Sequence, residues 1–388
     1  MYKVKCLNNI SKVGLEKLGS QYELIEDMDQ ADLVLVRSAE MKEMEFSDSL
    51  LAIARAGAGV NNIPLERCAE KGIVVFNTPG ANANGVCEIV LSALFLGARD
   101  IIGGVQWVRD NAENPDIKKL TEKQKKQFAG NEIRGKSLGV IGLGAIGGRV
   151  ANAALDLGMN VLGYDPHLTV GNAWNVTPTV NFVNSVEELY EQADYITIHI
   201  PELPSTIGFV SREAIAKMKD GVVFMNFARD TLVDEQAMAE ALESGHVKHY
   251  FSDFPNTISS RMKNATVTPH LGASTEESED NCAVMAVEEL QQYAECGNIR
   301  NSVNFPNCDL GTIKSVARIC ICHRNVPNMI GQISTTLSMG GVNIAHMIDQ
   351  SKNEFAYSLI DVDSEIPERI LENLKAIPGV DRVRLIRK

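Results

Sequence analysis

Residues Ser137 to Asp165 read SLGVIGLGAIGGRVANAALDLGMNVLGYD. An apolar run, Leu138 to Ile141, precedes Gly142, Gly144 and Gly147 at G-x-G-x-x-G spacing. A helix-patterned segment then reaches Leu157, and a second apolar run ends in Asp165. The order is strand, tight turn, helix, strand. Gly142 permits the turn, Gly144 lets backbone approach a pyrophosphate, and Gly147 lets helix and strand pack closely; the helix N-terminus adds unpaired N–H groups and a positive dipole. Asp165, about twenty residues beyond the glycines, is placed to accept hydrogen bonds from an adenosine ribose. A carboxylate there repels a 2′-phosphate, so the pattern favours NAD over NADP. Glycine turns are common and the text also fits a plain βαβ unit, but strand, helix and acid all stand where a dinucleotide site needs them.

The chain has 388 residues, too many for one ordinary core, and predicts two or three domains. Apolar content of 45% and charged content of 22% are those of a globular protein. A formal charge of −13 leaves no electrostatic footprint for nucleic acid or an anionic membrane. Any anionic ligand must be held by a local cluster of Arg or Lys. No apolar run is long enough to cross a bilayer and MYKVKCLNNISKVGL lacks a signal-peptide core, so the expectation is a cytoplasmic protein. The eight cysteines include no C-x-x-C pair and no histidine pattern suited to zinc, which predicts buried free thiols and no metal site.

Outward from the glycine stretch, the text alternates strands and helices. Val4 to Asn8, Ala31 to Arg37 and Leu51 to Arg55 read as strands, Leu15 to Leu18 as part of a helix, and Val86 to Ala98 as a helix after the turn-rich Asn77 to Gly85. The lysine-rich run Lys118, Lys119, Lys123, Lys125 and Lys126 is either a solvated helix face or a source of one or two phosphate ligands. Beyond Asp165, strands run over Tyr195 to Ile200, Val222 to Phe227 and Tyr250 to Phe254. Ligands of open α/β sheets bind at the carboxyl ends of strands, which singles out Arg229, Asp253 and His270. A long helix spans Glu276 to Glu295, and the segment after it is expected to complete the N-terminal lobe. Residues 315–388 follow βαββαβ order, a ferredoxin-like module. The expected fold is thus α/β, with two Rossmann-like or flavodoxin-like parallel-sheet lobes and a small ferredoxin-like domain. The expected boundaries are 1–97 with 283–306, 98–282, a linker at 307–314, and 315–388.

An alcohol flanked by an acid needs a base for its hydroxyl proton as hydride leaves, and a cation to hold the carboxylate and polarise the oxygen. His270 and Arg229 are the residue types for those roles. RAGAGVNN, NTPGAN, IRGKSLGVIGLGAIG, GYDP, NFARDTLVDEQAMAEAL and TPHLGASTEES, in this order, resemble the D-2-hydroxyacid dehydrogenase family over about three hundred residues, and the C-terminal module resembles an ACT regulatory domain. The resemblance implies that Arg229 is the catalytic arginine and His270 the acid/base. It places Ala145 and Ile146 against the pyrophosphate, Asp165 on the ribose, Ile200, Pro201, Phe227 and Ala228 along adenine and nicotinamide, and Gly272 and Ala273 over the ring. Asp253 would meet the nicotinamide carboxamide or take over the histidine. Gly57, Ala58, Gly59 and Val60 would offer N–H groups to the substrate carboxylate, with Asn82 nearby. Arg37 and Arg55 would face a phosphorylated hydroxyacid, their alternative being surface ion pairs.

One departure stands out. The family carries a glutamate that bonds the catalytic histidine, and none occurs between Phe251 and Met262, where its position falls near Thr257. In the C-terminal module His323, Asn325 and Asn343 match positions that bind L-serine in relatives of the ACT type, while Asn328 stands where that pattern often has glycine. The module's alternative role is dimerisation only. The resemblance further implies two lobes with a cleft between them and a homodimer or homotetramer. The competing readings are a dehydrogenase of another 2-hydroxyacid and an NAD-sensing protein without turnover.

Overall fold

Strands that are apolar at every position need cover on both faces, which is the condition of a parallel sheet flanked by helices. The computed structural model describes residues 1–388, and its contacts divide into two units, Met1–Asn82 with Glu276–Lys388, and Ala83–Thr275. The first unit opens with β1 (Tyr2–Cys6), α1 (Lys12–Leu15), β2 (Tyr22–Ile25), β3 (Leu33–Val36), β4 (Ala52–Arg55), α2 (Leu65–Glu70) and β5 (Val74–Asn77). The sheet order is β2-β1-β3-β4-β5, all parallel. The helix expected over Leu15 to Leu18 lies earlier, because Ser11 caps it by accepting from the Val13 N–H.

In the second unit α3 (Ala83–Ala98), α4 (Ile101–Asp110) and α5 (Ile117–Gln124) lead to β6 (Ser137–Ile141), α6 (Gly147–Asp156), β7 (Asn160–Tyr164), α7 (Val170–Ala173) and β8 (Asn181–Phe182). Then follow α8 (Val186–Gln192), β9 (Tyr195–Ile198), α9 (Arg212–Ala216), β10 (Val222–Asn226), α10 (Glu235–Ser244), β11 (Val247–Ser252) and β12 (Ala265–Val267). The sheet order β12-β11-β10-β9-β6-β7-β8 is parallel throughout. The chain leaves β6 toward β7 and β8, then returns to its other side with β9. The β6/β9 pair is therefore the topological switch point, where open α/β sheets bind ligands. Helix α3 belongs to this unit, not to residues 1–82: Val86, Val90, Ala93, Leu94 and Ala98 share a core with Val150, Ala151 and Val223. The boundaries expected at 97/98 and 282/283 accordingly fall at 82/83 and 275/276 in the contacts.

The chain re-enters the first unit with α11 (Glu276–Cys296), whose Ala283, Ala286, Val287 and Leu290 pack in one core with the first sheet's Leu33, Leu35 and Ala54. Residues 302–304 run along β5: Phe76 bridges Ser302 antiparallel, and Val303 N–H donates to Val75 O at 2.9 Å. The final module contains β13 (Ala317–Arg324), α12 (Met329–Met339), β14 (Ile344–Lys352), β15 (Phe355–Val362), α13 (Glu368–Lys375) and β16 (Val380–Arg387). Its antiparallel sheet, β14-β15-β13-β16, carries the two helices on one face. Alternation along β13 serves two cores. Ile319 and Ile321 join Ile333, Leu337 and Ile370, whereas Cys320 and Cys322 join Phe76, Tyr293 and Phe305 of the first lobe. All eight cysteines are free, and burial pushes the Cys322, Cys308 and Cys68 thiols up to about 12.

Residues 307–314, expected as a linker, are pinned. Cys308 is 1% exposed and bridges Ile299, Asn298 Nδ2 donates to Gly311 O at 3.1 Å, and Arg318 Nη1 donates to Gly311 O at 2.8 Å. Arg318 is itself fully buried and forms a two-pronged pair with Asp361, at 2.6 and 3.0 Å.

Candidate active site

The turn after β6 meets the demands that its glycines announce. Gly142 has φ +87°, and a Cβ there would stand 2.6 Å from the His199 carbonyl oxygen. A Cβ on Gly147 would collide with Gly142 O, while nothing lies within 4 Å of one built on Gly144. That open side is the space a pyrophosphate needs. Ala145 and Ile146 lead directly into α6, whose N-terminus has no side-chain cap; Gly148 N–H donates to Gly144 O at 3.0 Å, and the open approach to the rest of the first turn suits an anion. Asp165 Oδ2 accepts from Leu143 N–H and Oδ1 from His167 N–H, both at 2.9 Å. The acid thus steadies the glycine turn, and each oxygen retains a lone pair for a ribose hydroxyl. The residues present fit NAD.

Ile200 and Pro201 follow β9 directly. Just before them the half-buried His199 pairs Nε2 with Thr197 Oγ1 at 3.0 Å, and burial of its ring pushes its pKa down to about 3. It is neutral at any physiological pH.

The loop carrying Arg229 is closed by one buried amide. Asn226, the last residue of β10 and 0% exposed, donates from Nδ2 to Arg229 O at 2.7 Å and accepts at Oδ1 from Ala228 N–H at 3.1 Å. Phe227 packs inward and Arg229 Nη1 donates to Ala228 O at 2.6 Å. A second buried group does the same for His270. Asp253, one residue past β11 and 1% exposed, accepts from Thr268 Oγ1 at 2.6 Å, Leu271 N–H at 2.7 Å and Gly272 N–H at 2.7 Å. His270 N–H donates back to Asp253 O at 3.0 Å. The Asp253 carboxylate therefore fixes the loop on both sides of His270 and does not bond its ring. A Cβ on Gly272 would sit 3.0 Å from Asp253 Oδ2, so the loop closes tightly there before Ala273.

His270 adopts φ +57°, a left-handed conformation that costs a non-glycine residue about 1–2 kcal/mol. Its ring meets the Phe254 ring edge-on at 5.2 Å and makes no side-chain hydrogen bond. The stretch without a glutamate is held in another way. Asn256 Oδ1 accepts from Ile258 and Ser259 N–H at 2.8 and 2.9 Å, and its Nδ2 donates to Glu235 Oε2 at 2.7 Å. Glu235, from α10, has its pKa raised by burial, and its other oxygen has no partner.

In the first unit, Arg37 and Arg55 close neighbouring strands. Arg55 Nε donates to Arg37 O at 3.0 Å and its guanidinium lies against Gly57, whose φ of +151° leaves no room for a side chain. Arg37 Nη2 pairs with Glu279 Oε1 at 2.7 Å, so the ion-pair alternative is realised for this arginine. The turn Gly57, Ala58, Gly59, Val60 is tied to the next loop: Thr78 N–H donates to Gly57 O at 3.1 Å, and Asn77 Nδ2 to Ala58 O at 2.6 Å. Asn82 is the last residue before the chain changes unit. Helix α5, with Lys118, Lys119 and Lys123, buries none of its residues, as a solvated face does. No group of three His, Cys, Asp or Glu is arranged to hold a metal ion.

The C-terminal module holds a cleft of about 140 Å³ lined by His323, Asn325, Asn328 and Asp349 among others. Asn343 does not line it; its Nδ2 donates to Asp363 Oδ2 at 3.3 Å. Asn328 takes φ +66°, a conformation asparagine tolerates, which accounts for asparagine where glycine is usual. Sequence reasoning missed Asn226, Glu235 and Asn256. Asn226 and Asn256 carry only the signal of a polar residue ending, or closely following, an apolar strand, and Glu235, the first residue of α10, carries none.

The model of the D-isomer specific 2-hydroxyacid dehydrogenase NAD binding domain matches residues 91–272. The chain is 32% identical over 362 residues to the D-3-phosphoglycerate dehydrogenase of Haemophilus influenzae, covering 90% of this chain and 84% of that protein. It is 34% identical over 358 residues to the D-3-phosphoglycerate dehydrogenase of Methanocaldococcus jannaschii, covering 89% of this chain but only 64% of that relative. The crystal structure of an NAD⁺-bound 3-phosphoglycerate dehydrogenase of Entamoeba histolytica superposes with a TM-score of 0.61 at 27% identity, covering 78% of this chain and 98% of that one.

Proposed function

We propose that this chain, which belongs to the D-isomer specific 2-hydroxyacid dehydrogenase family and is an NAD-dependent enzyme of that type, oxidises 3-phospho-D-glycerate to 3-phosphohydroxypyruvate. The observation that carries the chemistry is the pair of strand-end loops, each locked from beneath by a buried polar side chain: Asn226 under Arg229, Asp253 under His270. Such support holds reacting groups still without occupying them.

His270, its ring nitrogens unbonded, takes the substrate hydroxyl proton in oxidation and returns it in reduction. Arg229 binds the carboxylate and stabilises negative charge on the oxygen that becomes the carbonyl. NAD, when bound, accepts the hydride from the carbon bearing that oxygen. The N–H groups of Gly57 to Val60 receive the substrate carboxylate, and Arg55 is the cation for its phosphate, with Arg37 behind it in its ion pair with Glu279. The phosphorylated substrate is supported by the relatives' names and by an arginine lodged beside the glycine turn of an acidic chain. The reaction would stand at the entry to L-serine biosynthesis in the cytoplasm. Residues 315–388 act as an ACT-type module that senses L-serine in the cleft of His323 and Asn325, and the protein works as a homodimer or homotetramer.

The test is NADH consumption with 3-phosphohydroxypyruvate beside hydroxypyruvate, pyruvate and 2-oxoglutarate, with and without L-serine. A strong preference for the phosphorylated keto acid is expected. Equal or better rates with an unphosphorylated acid overturn the substrate assignment, and NAD binding without turnover of any acid overturns the enzymatic one.

A further inference from the structure

The first unit contains a second polar cleft, which shares only Asn77, the first residue of NTPGAN, with the motifs read above. It has a volume of about 390 Å³ and opens where residues 301–307 meet the C-terminal end of β14. Phe305 and Pro306 form its apolar part; Asn77, Asn301, Ser302, Asn307, Ser351 and Lys352 supply amides, hydroxyls and one ammonium. The volume is that of a small-molecule site, and the lining is mostly polar, with Phe305 and Pro306 its only apolar residues.

The charge balance identifies the ligand class. Lys352 Nζ donates to Ser302 O at 3.1 Å and has no carboxylate partner. Asp349 pairs with His323 and Asp309 with Arg300, while Glu354, 81% exposed, lies 3.9 Å from Arg324. Desolvation alone acts on its ammonium, lowering its pKa. Glu289, whose Oε1 accepts from Asn301 Nδ2 at 2.8 Å, is held largely protonated at neutral pH because burial raises its pKa to about 8. The cleft therefore presents one cation with amide and hydroxyl groups and no opposing anion. A phosphate dianion calls for more than one cation or a fork of donors. A single carboxylate with an adjacent hydroxyl or amino group matches one lysine and several amides.

The cleft is wired to another part of the unit. Asn77, on its wall, donates from Nδ2 to Ala58 O at 2.6 Å, within the Gly57–Val60 turn. Its N–H faces Asn301 O at 3.4 Å, and Asn301 N–H is held by Asn307 Oδ1 at 3.0 Å. A ligand bridging Lys352 to these asparagines would thus bear on that turn through one hydrogen-bonded chain.

We propose that the cleft between residues 301–307 and the C-terminal end of β14 binds a small carboxylate carrying a neighbouring hydroxyl or amino group, and that its occupancy changes the affinity of the Gly57–Val60 turn for the substrate. The second half rests on the assignment of that turn to the substrate carboxylate. Coupling of this kind is reciprocal and is typically five-fold or more.

Calorimetric titration of the full chain with glycolate, L-lactate and L-alanine, and with inorganic phosphate for comparison, tests the binding without any need for turnover. Lys352→Gln removes the cation from an exposed position. Asn307→Asp keeps the acceptor for Asn301 N–H but adds a like charge to the ligand's. At least one carboxylate is expected to bind, with affinity falling about ten- to a hundred-fold in Lys352→Gln through the loss of one charge-assisted hydrogen bond, falling in Asn307→Asp through like-charge repulsion, and unchanged in Arg229→Gln. Binding that survives both variants, tighter binding of phosphate than of all three carboxylates, or no carboxylate binding overturns the site. A keto-acid KM that shifts about five-fold with the bound carboxylate in the parent protein, and not in Lys352→Gln, is the expected coupling; an unmoved KM with the site filled overturns it. A chain that binds the carboxylate but turns over no keto acid overturns the functional reading and leaves the site standing.

Discussion

Glu289→Gln is expected to change how stability depends on pH. Glu289 sits on α11, 8% exposed, with Oε1 bonded to Asn301 and Oε2 buried without a partner. Burial raises its pKa from 4.5 to about 8. The folded state therefore keeps a proton that the unfolded chain releases, so this group's contribution is fully present below pH 4.5 and is lost as pH rises toward 8. Each pH unit inside that window costs about 1.4 kcal/mol, or about 4 kcal/mol from pH 5 to pH 8 as a ceiling. Gln keeps the acceptor for Asn301 and cannot ionise. Melting curves of both proteins at pH 5, 6, 7 and 8 give the difference directly, without requiring that the two units unfold together. The variant is expected to gain on the parent by about 5 °C or more across that range, at about 2–4 °C per kcal/mol for a unit of this size. Two curves that stay parallel from pH 5 to pH 8 would refute the reasoning.

Two further variants test separate parts of the structure. Asp361→Leu leaves the fully buried Arg318 guanidinium unpaired where it holds Cys296 O and Gly311 O; a loss of about 3–5 kcal/mol is expected in denaturant unfolding of the first unit, and a loss below about 1 kcal/mol would contradict a structural role for the pair. Asp165→Ala removes both the ribose acceptor and the bond to Leu143 N–H; NADH titration is expected to show affinity about ten-fold weaker or worse, with discrimination against NADPH reduced, and unchanged discrimination would remove Asp165 from the cofactor site.

What the sequence made legible follows from the range over which each signal acts. The glycine turn was readable because each glycine marks a local constraint: a left-handed φ at Gly142, a collision at Gly147, open space at Gly144. The parallel sheets and the βαββαβ module were readable from apolar runs and their order, and the observed sheets agree. The change of unit at 82/83 was not, because α3 is apolar on more than one side and its partners, Val150 on α6 and Val223 on β10, lie far along the chain. Alternation in ARICICH showed a strand with buried thiols but could not show that Cys320 and Cys322 face a second core. Asp253 was singled out by its place after a strand. Its grip on Thr268, Leu271 and Gly272 depends on a loop folded back over it, which no local pattern encodes. The pairing of Arg37 with Glu279 was hidden in the same way, by sequence distance.

In the proposed function Arg229 and His270 carry the hydride-transfer chemistry from loops braced by Asn226 and Asp253. It is tested most directly by measuring NADH binding and keto-acid turnover side by side in Arg229→Gln and His270→Asn. NADH affinity is expected within about two-fold of the parent, and turnover lower by about 10²- to 10⁴-fold in each variant. Turnover within a few-fold of the parent in either one, with NADH still bound, would contradict it.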